Sequence, residues 1–344
     1  MLSQAMVPLT IFLVAALCAL VTTPLVMRVA LRWGAVDVPR DRHQHPLVMP
    51  KLGGIPLAVG FLLALGVSLL LPVARNDAAE GARLTGLVTG LLIVLAVGIY
   101  DDRRELPAAP QFVIQLLAAV VVVSFGVRIV EASTPFGALQ LPDWLAVLFT
   151  LFWLMGMMNT VNFLDGLDGL AAGVVAIACV ILFVHTQLLH QDSIALLPLA
   201  LLGALVGFIP FNFSPARIFL GSSGALFLGL ALGTIAIIGS AKLASALLVV
   251  GIPILDTAWQ IIRRIRDGRA PYQGDRGHLH FRLVDRGWSQ RQVVLLLYSF
   301  SAIFGGTALL LPSGSLLKLL ALLVMGLLML VLMTWLTRRQ VTNP

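Results

Sequence analysis

Residues 159–173 read NTVNFLDGLDGLAAG, and within this largely apolar stretch a polar side chain recurs at every third position. The four residues are Asn159, Asn162, Asp165 and Asp168. Three helical residues turn the chain by about 300° and advance it by about 4.5 Å, so on one continuous helix these side chains would form a polar stripe. We therefore expect the chemistry of the protein to lie in this stretch.

The carboxylate charges of the stripe are unfavourable in an apolar environment unless a polar or positive group lies beside them. A carboxylate at the centre of a membrane helix costs about 2.5–3.5 kcal/mol on insertion scales, so we expect water, a partner charge or a cation beside it. A divalent cation would meet this need. A simpler interpretation is also open, because Asn and Asp cap helices and Gly166, Gly169 and Gly173 would allow tight helix packing.

The whole chain has the composition of a membrane protein. Of its 344 residues, 59% are hydrophobic and 11% charged, and the mean hydropathy is +0.99. Cys18 and Cys179 both lie in apolar runs, so neither a disulfide framework nor a cysteine metal site is indicated. In this setting the net charge of +7 bears on membrane topology and does not indicate nucleic-acid binding.

Apolar runs long enough to cross a bilayer predict about eleven membrane-spanning helices. The first run is too long for a signal-peptide core and is interpreted as a retained span. No stretch is polar enough for a separate soluble domain, so residues 1–344 are interpreted as one all-α, polytopic membrane domain. The predicted spans are 7–31, 53–72, 84–100, 111–127, 143–160, 169–189, 194–211, 223–239, 243–262, 292–311 and 315–336.

The distribution of basic residues predicts the topology. If odd-numbered spans run inward, 18 of the 23 Lys and Arg residues fall in inner loops. The positive-inside rule then places the N-terminus outside and the C-terminus in the cytoplasm. Four of the six histidines fall in the same inner loops, so we expect these loops to share one site.

The first two inner loops contain candidate charged groups. Residues 37–56 read DVPRDRHQHPLVMPKLGGIP, whose basic groups would either handle an anion or set the topology. In the second loop, the adjacent Asp101 and Asp102 would repel each other unless a proton or a hard cation lies between them. The basic groups of the first loop are Arg40, Arg42, His43, His45 and Lys51.

Two further inner segments combine small and charged residues. Residues 221–224, GSSG, open the eighth span, where backbone N–H groups favour an anion unless Ser222 or Ser223 simply caps the helix. Asp256 precedes a basic run, and both an ion pair and substrate positioning are open for it. The run consists of Arg263, Arg264, Arg266 and Arg269.

The longest inner loop contains GDRGHLHFRL at residues 274–283. Its basic residues alternate, as on one face of an extended segment. A transition-metal site would lack a third nearby ligand, whereas a phosphate or diphosphate fits such a row of cations. The alternating residues are Arg276, His278, His280 and Arg282.

These motifs together resemble a known family. Asp101-Asp102, NTVNFLDGLDGLAAG, IFLGSSG at 218–224 and DRGHLHFRL at 275–283 occur in the order found in polyprenyl-phosphate N-acetylhexosamine-1-phosphate transferases of glycosyltransferase family 4. The resemblance covers nearly the whole chain. It is similar to the branch that starts O-antigen, enterobacterial common antigen or teichoic-acid linkage synthesis, and more distantly to the translocase of the first peptidoglycan lipid intermediate.

The resemblance implies a reaction in which a polyprenyl phosphate attacks the β-phosphorus of a UDP-sugar, with UDP-GlcNAc the expected donor, and UMP is released. It implies Mg²⁺, with Mn²⁺ as a substitute, and a multi-pass protein of the bacterial inner membrane whose site faces the cytoplasm. It leaves a homodimer open.

The resemblance also implies roles for individual residues. The implied catalytic groups are Asp101, Asp102, Asp165 and Asp168. The implied metal ligands are Asn162, Asp165 and Ser222. The implied substrate-binding residues are Lys51, Asn159, Arg217, Arg276, His278, His280 and Arg282.

The chain departs from the family pattern at three positions. Ser222 stands where members usually have Asp, Gln111 where they often have Lys, and Phe281 at the fourth position of a His-x-His-His pattern. A serine hydroxyl is a weaker Mg²⁺ ligand than a carboxylate, so a weakened or altered-donor family member is an alternative. A transporter is a further alternative, but its polar groups should lie near mid-bilayer in repeated halves.

Overall fold

A computed structural model describes residues 6–38, 48–134, 136–239, 243–269, 277–312 and 315–338. Within these residues the chain forms 12 helices, which in chain order are α1 Met6–Trp33, α2 Gly54–Leu70, α3 Glu80–Arg104, α4 Ala108–Ser124, α5 Asp143–Leu164, α6 Leu170–Leu188, α7 Asp192–Asn212, α8 Gly221–Ile238, α9 Leu243–Arg266, α10 Leu279–Val284, α11 Gln290–Leu310 and α12 Leu316–Arg338.

The all-α, polytopic membrane fold predicted from the sequence is confirmed. Each of the eleven predicted spans coincides with a helix, and eight described helices are long and apolar enough to cross a membrane. Two further predicted spans, α2 and α4, are apolar helices of 17 residues. The eleventh predicted span lies within α9, whose last turn carries Arg263, Arg264 and Arg266.

Helix α8 lies at the centre of the bundle. It is the most buried of the eight candidate spans, since 83% of its residues are buried inside the bundle. It packs against α2, α3, α5 and α6. Trp153 of α5 donates its indole N–H to the carbonyl of Gly233, 3.1 Å away. The central position of α8 brings its first turn close to the ends of several neighbouring helices.

Two glycines allow α2 and α3 to approach the start of α8. A Cβ on Gly54 would lie 2.4 Å from the carbonyl carbon of Ser223, and one on Gly98 would lie 2.4 Å from the Cα of the same residue. Real Cβ atoms do not approach backbone this closely. The first turn of α8 is therefore held between α2 and α3 by backbone contact.

Two short antiparallel hairpins connect the helices. Strands β1 (Val36–Asp37) and β2 (Met49–Pro50) pair beside the start of α2, in the first predicted inner loop. The loop 128–142 contains β3 (Glu131–Thr134) paired with β4 (Gly137–Gln140). Arg40, Arg42, His43 and His45 lie outside the described residues.

The stretch NTVNFLDGLDGLAAG is not one continuous helix, so the expected stripe on one helix face is wrong. Helix α5 ends at Leu164 and α6 begins at Leu170. Between them Gly169 has a φ of 79°, a left-handed conformation that glycine adopts without steric cost. The chain reverses here, and Asp165 and Asp168 therefore project from a tight turn.

Candidate active site at the start of helix α8

Two carboxylates, one from α3 and one from the turn after α5, bind the first turn of α8. One Asp102 oxygen accepts the N–H of Ser222 at 2.7 Å, and the other accepts the N–H and the hydroxyl of Ser223 at 3.2 and 2.6 Å. Asp165 accepts the N–H of Gly221 at 3.1 Å. Helix N-termini stabilise anions because their first N–H groups lack helical partners.

These contacts answer the two expectations for the GSSG segment. Its backbone N–H groups do bind anions, but the anions are carboxylates of the chain itself. Neither Ser222 nor Ser223 caps the helix with its own side chain, because Asp102 takes that role from α3. No local sequence pattern indicates this pairing, since Asp102 and Ser222 are 120 residues apart.

Asp168 belongs to the same region but holds a different segment. It accepts the N–H of Ala216 at 3.0 Å, in the connection between α7 and α8. Lys51, which follows β2, lies 3.7 Å from Asp37. The backbone of Gly53 donates to Phe219 at 3.2 Å, so the Lys51 loop also reaches the α8 connection. The predicted inner loops therefore meet at one end of the bundle.

The site carries an excess of negative charge. The pKa of the Asp165 carboxyl lies well above its usual range, chiefly because the group is withdrawn from water and next because Asp102 is close. Asp168 raises this pKa further, while the Gly221 N–H and Lys51 oppose the shift. Carboxylates that share a partly buried site in this way favour a bound cation or a proton.

Asp101 and Asp102 have different partners although they are adjacent in sequence. One Asp101 oxygen accepts the N–H of Leu106 at 2.6 Å and the side-chain amide of Gln111 at 2.8 Å. Gln111, the residue that replaces the family's lysine, thus fastens the loop after α3. Successive helical residues point about 100° apart, which separates the two carboxylates.

The polar residues of α5 also differ from one another. Asn159 donates to the buried Gln115 of α4 at 2.6 Å and to the carbonyl of Met155 at 2.8 Å. Within the part of the chain that the structure describes, neither Asn162 nor Ser222 has a side-chain hydrogen bond, and both are half-buried. Their side-chain oxygens remain available as ligands.

The described part of the predicted row of cations, 278–282, is not an extended segment. His280 and Arg282 lie on the short helix α10, and His278 precedes its first residue. Arg282 donates to the carbonyl of Gly277 at 2.6 Å, and Asp256 lies 2.8 Å from the Nδ1 of His278. The helix forms because Asp256 caps it from α9, an interaction that alternation along the sequence cannot reveal.

Two of the remaining predicted substrate-binding groups, Arg217 and His280, differ in their exposure to solvent. Arg217 is exposed, donates to the carbonyl of Pro210 at 3.1 Å, and stands over the Phe211 ring at 4.7 Å. Burial lowers the pKa of His280 to about 4, although the nearby charge of Asp256 acts to raise it. This imidazole is therefore neutral at pH 7. Arg276 lies outside the described residues.

The side-chain oxygens of the three predicted metal ligands fit a hard divalent cation by atom type. Mg²⁺ prefers carboxylate, amide and hydroxyl oxygens, and Asp165, Asn162 and Ser222 supply one of each. The raised pKa of Asp165 marks a carboxyl whose charge is incompletely neutralised. Among the described residues, no three His, Cys, Asp or Glu side chains already converge on one point, so the fit is one of chemistry.

Sequence reasoning missed several polar partners, of which Gln115 and Gln260 are the clearest. Gln115 is 1% and Gln260 0% exposed, and both bind residues of the predicted motifs. A signal existed for Gln260, since Asp256, Gln260 and Arg264 follow one another at four-residue intervals in α9. Gln115 is a single amide in an apolar run, without such a pattern.

Sequence comparisons identify a family and several relatives of this chain. Residues 84–240 match the family described as glycosyl transferase family 4, and they include α3 to α8 with the carboxylates around Gly221. A probable undecaprenyl-phosphate N-acetylglucosaminyl 1-phosphate transferase of Bacillus subtilis (strain 168) is 33% identical over 323 residues, which cover 92% of this chain and 88% of the relative.

Two further relatives extend the comparison. A decaprenyl-phosphate N-acetylglucosaminephosphotransferase of Mycolicibacterium smegmatis is 32% identical and covers 83% of this chain and 77% of its own length. A phospho-N-acetylmuramoyl-pentapeptide-transferase of Desulforudis audaxviator is 31% identical, and the alignment covers 84% of this chain and 92% of the relative. These relatives align with the chain beyond the residues matched by the family.

Proposed function

This chain belongs to glycosyl transferase family 4, among the polyprenyl-phosphate N-acetylhexosamine-1-phosphate transferases, and we propose that it transfers GlcNAc-1-phosphate from UDP-GlcNAc to a polyprenyl phosphate. An oxygen of the lipid phosphate forms a bond to the β-phosphorus of the donor, and the bond from that phosphorus to UMP breaks. UMP leaves with the bridging oxygen, and the lipid retains a diphospho-sugar. The names of the relatives support the transferred sugar phosphate and the lipid acceptor.

The observation that carries the proposal is the placement of Asp102 and Asp165 on the first turn of α8, with Asp168 bound to the connection that precedes it. Both proposed substrates are anions, and a site lined by carboxylates would repel them. A cation between carboxylates and phosphates removes this conflict, as in other phosphoryl transfers. The arrangement therefore supports a metal-assisted transfer between two phosphate compounds.

For the cation we propose Mg²⁺, with Mn²⁺ able to replace it, held by Asn162, Asp165 and Ser222. When bound, it would neutralise phosphate charge in the donor. Asp102 fixes the first turn of α8, and Asp168 fixes the connection before it. Lys51 and Arg217 are the basic groups proposed to meet substrate phosphates, since Lys51 offsets the charge at Asp165 and Arg217 is exposed.

We place the site on the cytoplasmic side of a bacterial inner membrane, with the N-terminus outside and the C-terminus inside. The basic residues of the inner loops support this orientation, because 18 of the 23 Lys and Arg residues lie on the proposed cytoplasmic side. The lipid acceptor would reach the site from the bilayer. A homodimer is compatible with this arrangement.

The proposal is tested by incubating the purified protein with polyprenyl phosphate, Mg²⁺ and a panel of UDP-sugars. We expect UMP release with the highest rate for UDP-GlcNAc, together with a lipid diphospho-sugar. EDTA should abolish release, and added Mg²⁺ or Mn²⁺ should restore it, because the proposed ligands are hard oxygens. Transfer that continues undiminished in EDTA would refute the metal, and absence of transfer with every donor would refute the function.

The serine at position 222 favours a second form of the same function, an enzyme with weakened metal binding. A carboxylate at this position would bring a full charge to the cation, whereas the hydroxyl brings only a dipole. We expect Ser222→Asp to lower the Mg²⁺ concentration for half-maximal rate by about tenfold, equivalent to about 1.4 kcal/mol. Mg²⁺ titrations of UMP release and of thermal stability provide the measurement.

The matched control for this prediction is Ser222→Ala, which removes the hydroxyl without adding charge. It should raise the Mg²⁺ requirement or leave it unchanged. Titration curves that coincide for the wild type and Ser222→Asp would show that position 222 does not contact the metal. A changed preference among UDP-sugars would instead indicate that this position contacts the donor.

A further inference from the structure

A polar stripe runs along the buried face of α9. Asp256, Gln260 and Arg264 are spaced by four residues and so lie above one another on the helix. Their exposed fractions are 6%, 0% and 2%. Buried charges are costly unless they are paired and hydrogen-bonded, so three such residues on one face require partners that repay their removal from water.

The partners are found in three consecutive residues before and at the start of α10. One Asp256 oxygen lies 2.8 Å from the Nδ1 of His278, and the other accepts the N–H of Leu279 at 3.0 Å. Gln260 donates its side-chain N–H to the carbonyl of Gly277. The three residues Asp256, Gln260 and Arg264 are called the α9 clamp below.

The α9 clamp fixes the imidazole of His278 on both edges. A carboxylate only accepts hydrogen bonds, so the Nδ1 of His278 carries the proton that faces Asp256. The Nε2 then presents its lone pair, and the Nη2 of Arg264 lies 3.5 Å from it. In this arrangement the ring keeps one tautomer and one orientation.

The ring of His278 also packs against the end of α5, next to the turn at 165–169. His278 stacks on Phe163 with centroids 5.2 Å apart, and on its other neighbour His280 at 5.7 Å. Phe163 precedes the end of α5 by one residue and follows Asn162 directly. The α9 clamp therefore acts on a stack of three rings that includes a residue of the NTVNFLDG stretch.

His280 forms the contact between this stack and the turn at 165–169. It is 2% exposed, and its Nε2 has no hydrogen-bond partner within the described parts of the chain. A Cβ on Gly166 would lie 2.5 Å from that nitrogen, so only the absence of a side chain at 166 makes room for it. Displacement of α10 would move His280 against the residue next to Asp165.

We propose that Asp256, Gln260 and Arg264 are positioning residues, which hold the 277–280 segment so that His280 supports the turn bearing Asp165 and Asp168. The clamp acts through His278 and touches no reacting atom. The kinetic part of this inference rests on the proposed transfer reaction, whereas the structural part does not. The clamp lies outside residues 84–240, which the family match covers.

The test compares Asp256→Asn with Asp267→Asn. Asp267 directly follows the last residue of α9 and serves as an exposed control. Asp267 is 44% exposed and pairs with Arg263 at 3.7 Å. In Asp256→Asn an NH₂ group replaces one carboxylate oxygen. Either the Nδ1–H of His278 or the backbone N–H of Leu279 then lacks an acceptor. Hydrogen–deuterium exchange of peptides covering 277–284 and steady-state kinetics are measured on the full-length proteins.

We expect faster exchange in 277–284 for Asp256→Asn, and a fall in kcat of roughly 10- to 100-fold because the catalytic groups are misplaced. The KM for polyprenyl phosphate should change less than about twofold, since the clamp does not contact the lipid. Asp267→Asn should match the wild type in both measurements. A purely structural role would lower the fraction of folded protein without separating kcat from KM.

A second variant, Gln260→Met, keeps the side-chain volume and removes only the donor to Gly277, so it guards against misfolding of Asp256→Asn. It should reproduce the exchange and kcat changes in milder form. Unchanged exchange in both variants overturns the clamp, whether or not the wild type transfers a sugar phosphate. Faster exchange with unchanged kcat overturns its role in positioning. A wild type that is inactive with every donor refutes the proposed function and leaves the exchange comparison decisive for the clamp.

Discussion

Asp165→Asn is expected to reduce sugar-phosphate transfer on the order of 100-fold without destabilising the metal-free protein. The amide oxygen can still accept the N–H of Gly221, which Asp165 accepts at 3.1 Å. The charge is lost, and with it the proposed metal ligand. Because burial and Asp102 raise the pKa of this carboxyl, its ionised form opposes folding at neutral pH, and a neutral side chain removes that cost.

The measurement combines UMP release with thermal unfolding in EDTA and in Mg²⁺. In EDTA the variant should unfold at the same or a higher temperature than the wild type. In Mg²⁺ only the wild type should gain stability, since a ligand that binds the folded state shifts unfolding by mass action. Asp143→Asn is the control, because Asp143 is exposed at the opposite end of the same helix. If Mg²⁺ stabilised the wild type and Asp165→Asn equally, Asp165 would not be a metal ligand.

Asp102→Asn should have the opposite effect on stability and a comparably large effect on transfer. Asp102 accepts three hydrogen bonds, from the N–H groups of Ser222 and Ser223 and from the Ser223 hydroxyl. Asparagine has one acceptor oxygen, so its NH₂ group would face a backbone donor. Hydrogen bonds to charged groups contribute about 1.5–3 kcal/mol each, and an unsatisfied buried donor adds a penalty.

We expect the melting temperature of Asp102→Asn in detergent to fall by roughly 5–10 °C, in EDTA as well as in Mg²⁺. The neighbouring Asp101→Asn provides a matched comparison of stability, because Asp101 uses a single oxygen for both Leu106 and Gln111. An asparagine oxygen can keep both bonds, so its melting temperature should fall much less. If the two variants melt alike, the trans-capping role of Asp102 is contradicted.

The Asp102 and Asp165 variants together separate two explanations for essential carboxylates in one site. Loss of activity with loss of stability identifies a carboxylate that holds the fold of the site. Loss of activity with retained or increased stability identifies one whose charge serves the substrate or the metal. The geometry at Gly221 to Ser223 assigns Asp102 to the first class and Asp165 to the second.

The membrane helices were predictable because each apolar segment is stabilised by its own surroundings. An apolar helix such as α1 or α12, of which less than a third is buried in the bundle, is stabilised by the bilayer whichever neighbours it has, so hydropathy along 6–33 and 316–334 suffices to place it. The motifs that indicate the family are likewise local in sequence. Their order therefore also indicated the reaction class, which the names of the relatives support.

The partners of the polar side chains were decided by tertiary structure alone. Asp102 binds residues about 120 positions away, and Asp256 binds His278 and Leu279 across a loop and a change of helix. Hydrogen bonds depend on distances and angles that only the packed bundle sets, and no periodicity of the sequence encodes them. For the same reason 279–284 is helical where alternation indicated an extended segment, since its cap comes from α9.

The sequence by itself determined that this is a helical membrane protein with its charged motifs on shared loops, because hydropathy and charge act segment by segment. The tertiary structure decided which carboxylates are bound by the start of α8 and which histidine is fixed by α9. It could do so because a buried polar group requires a partner at hydrogen-bond distance, and in this bundle those partners come from other helices.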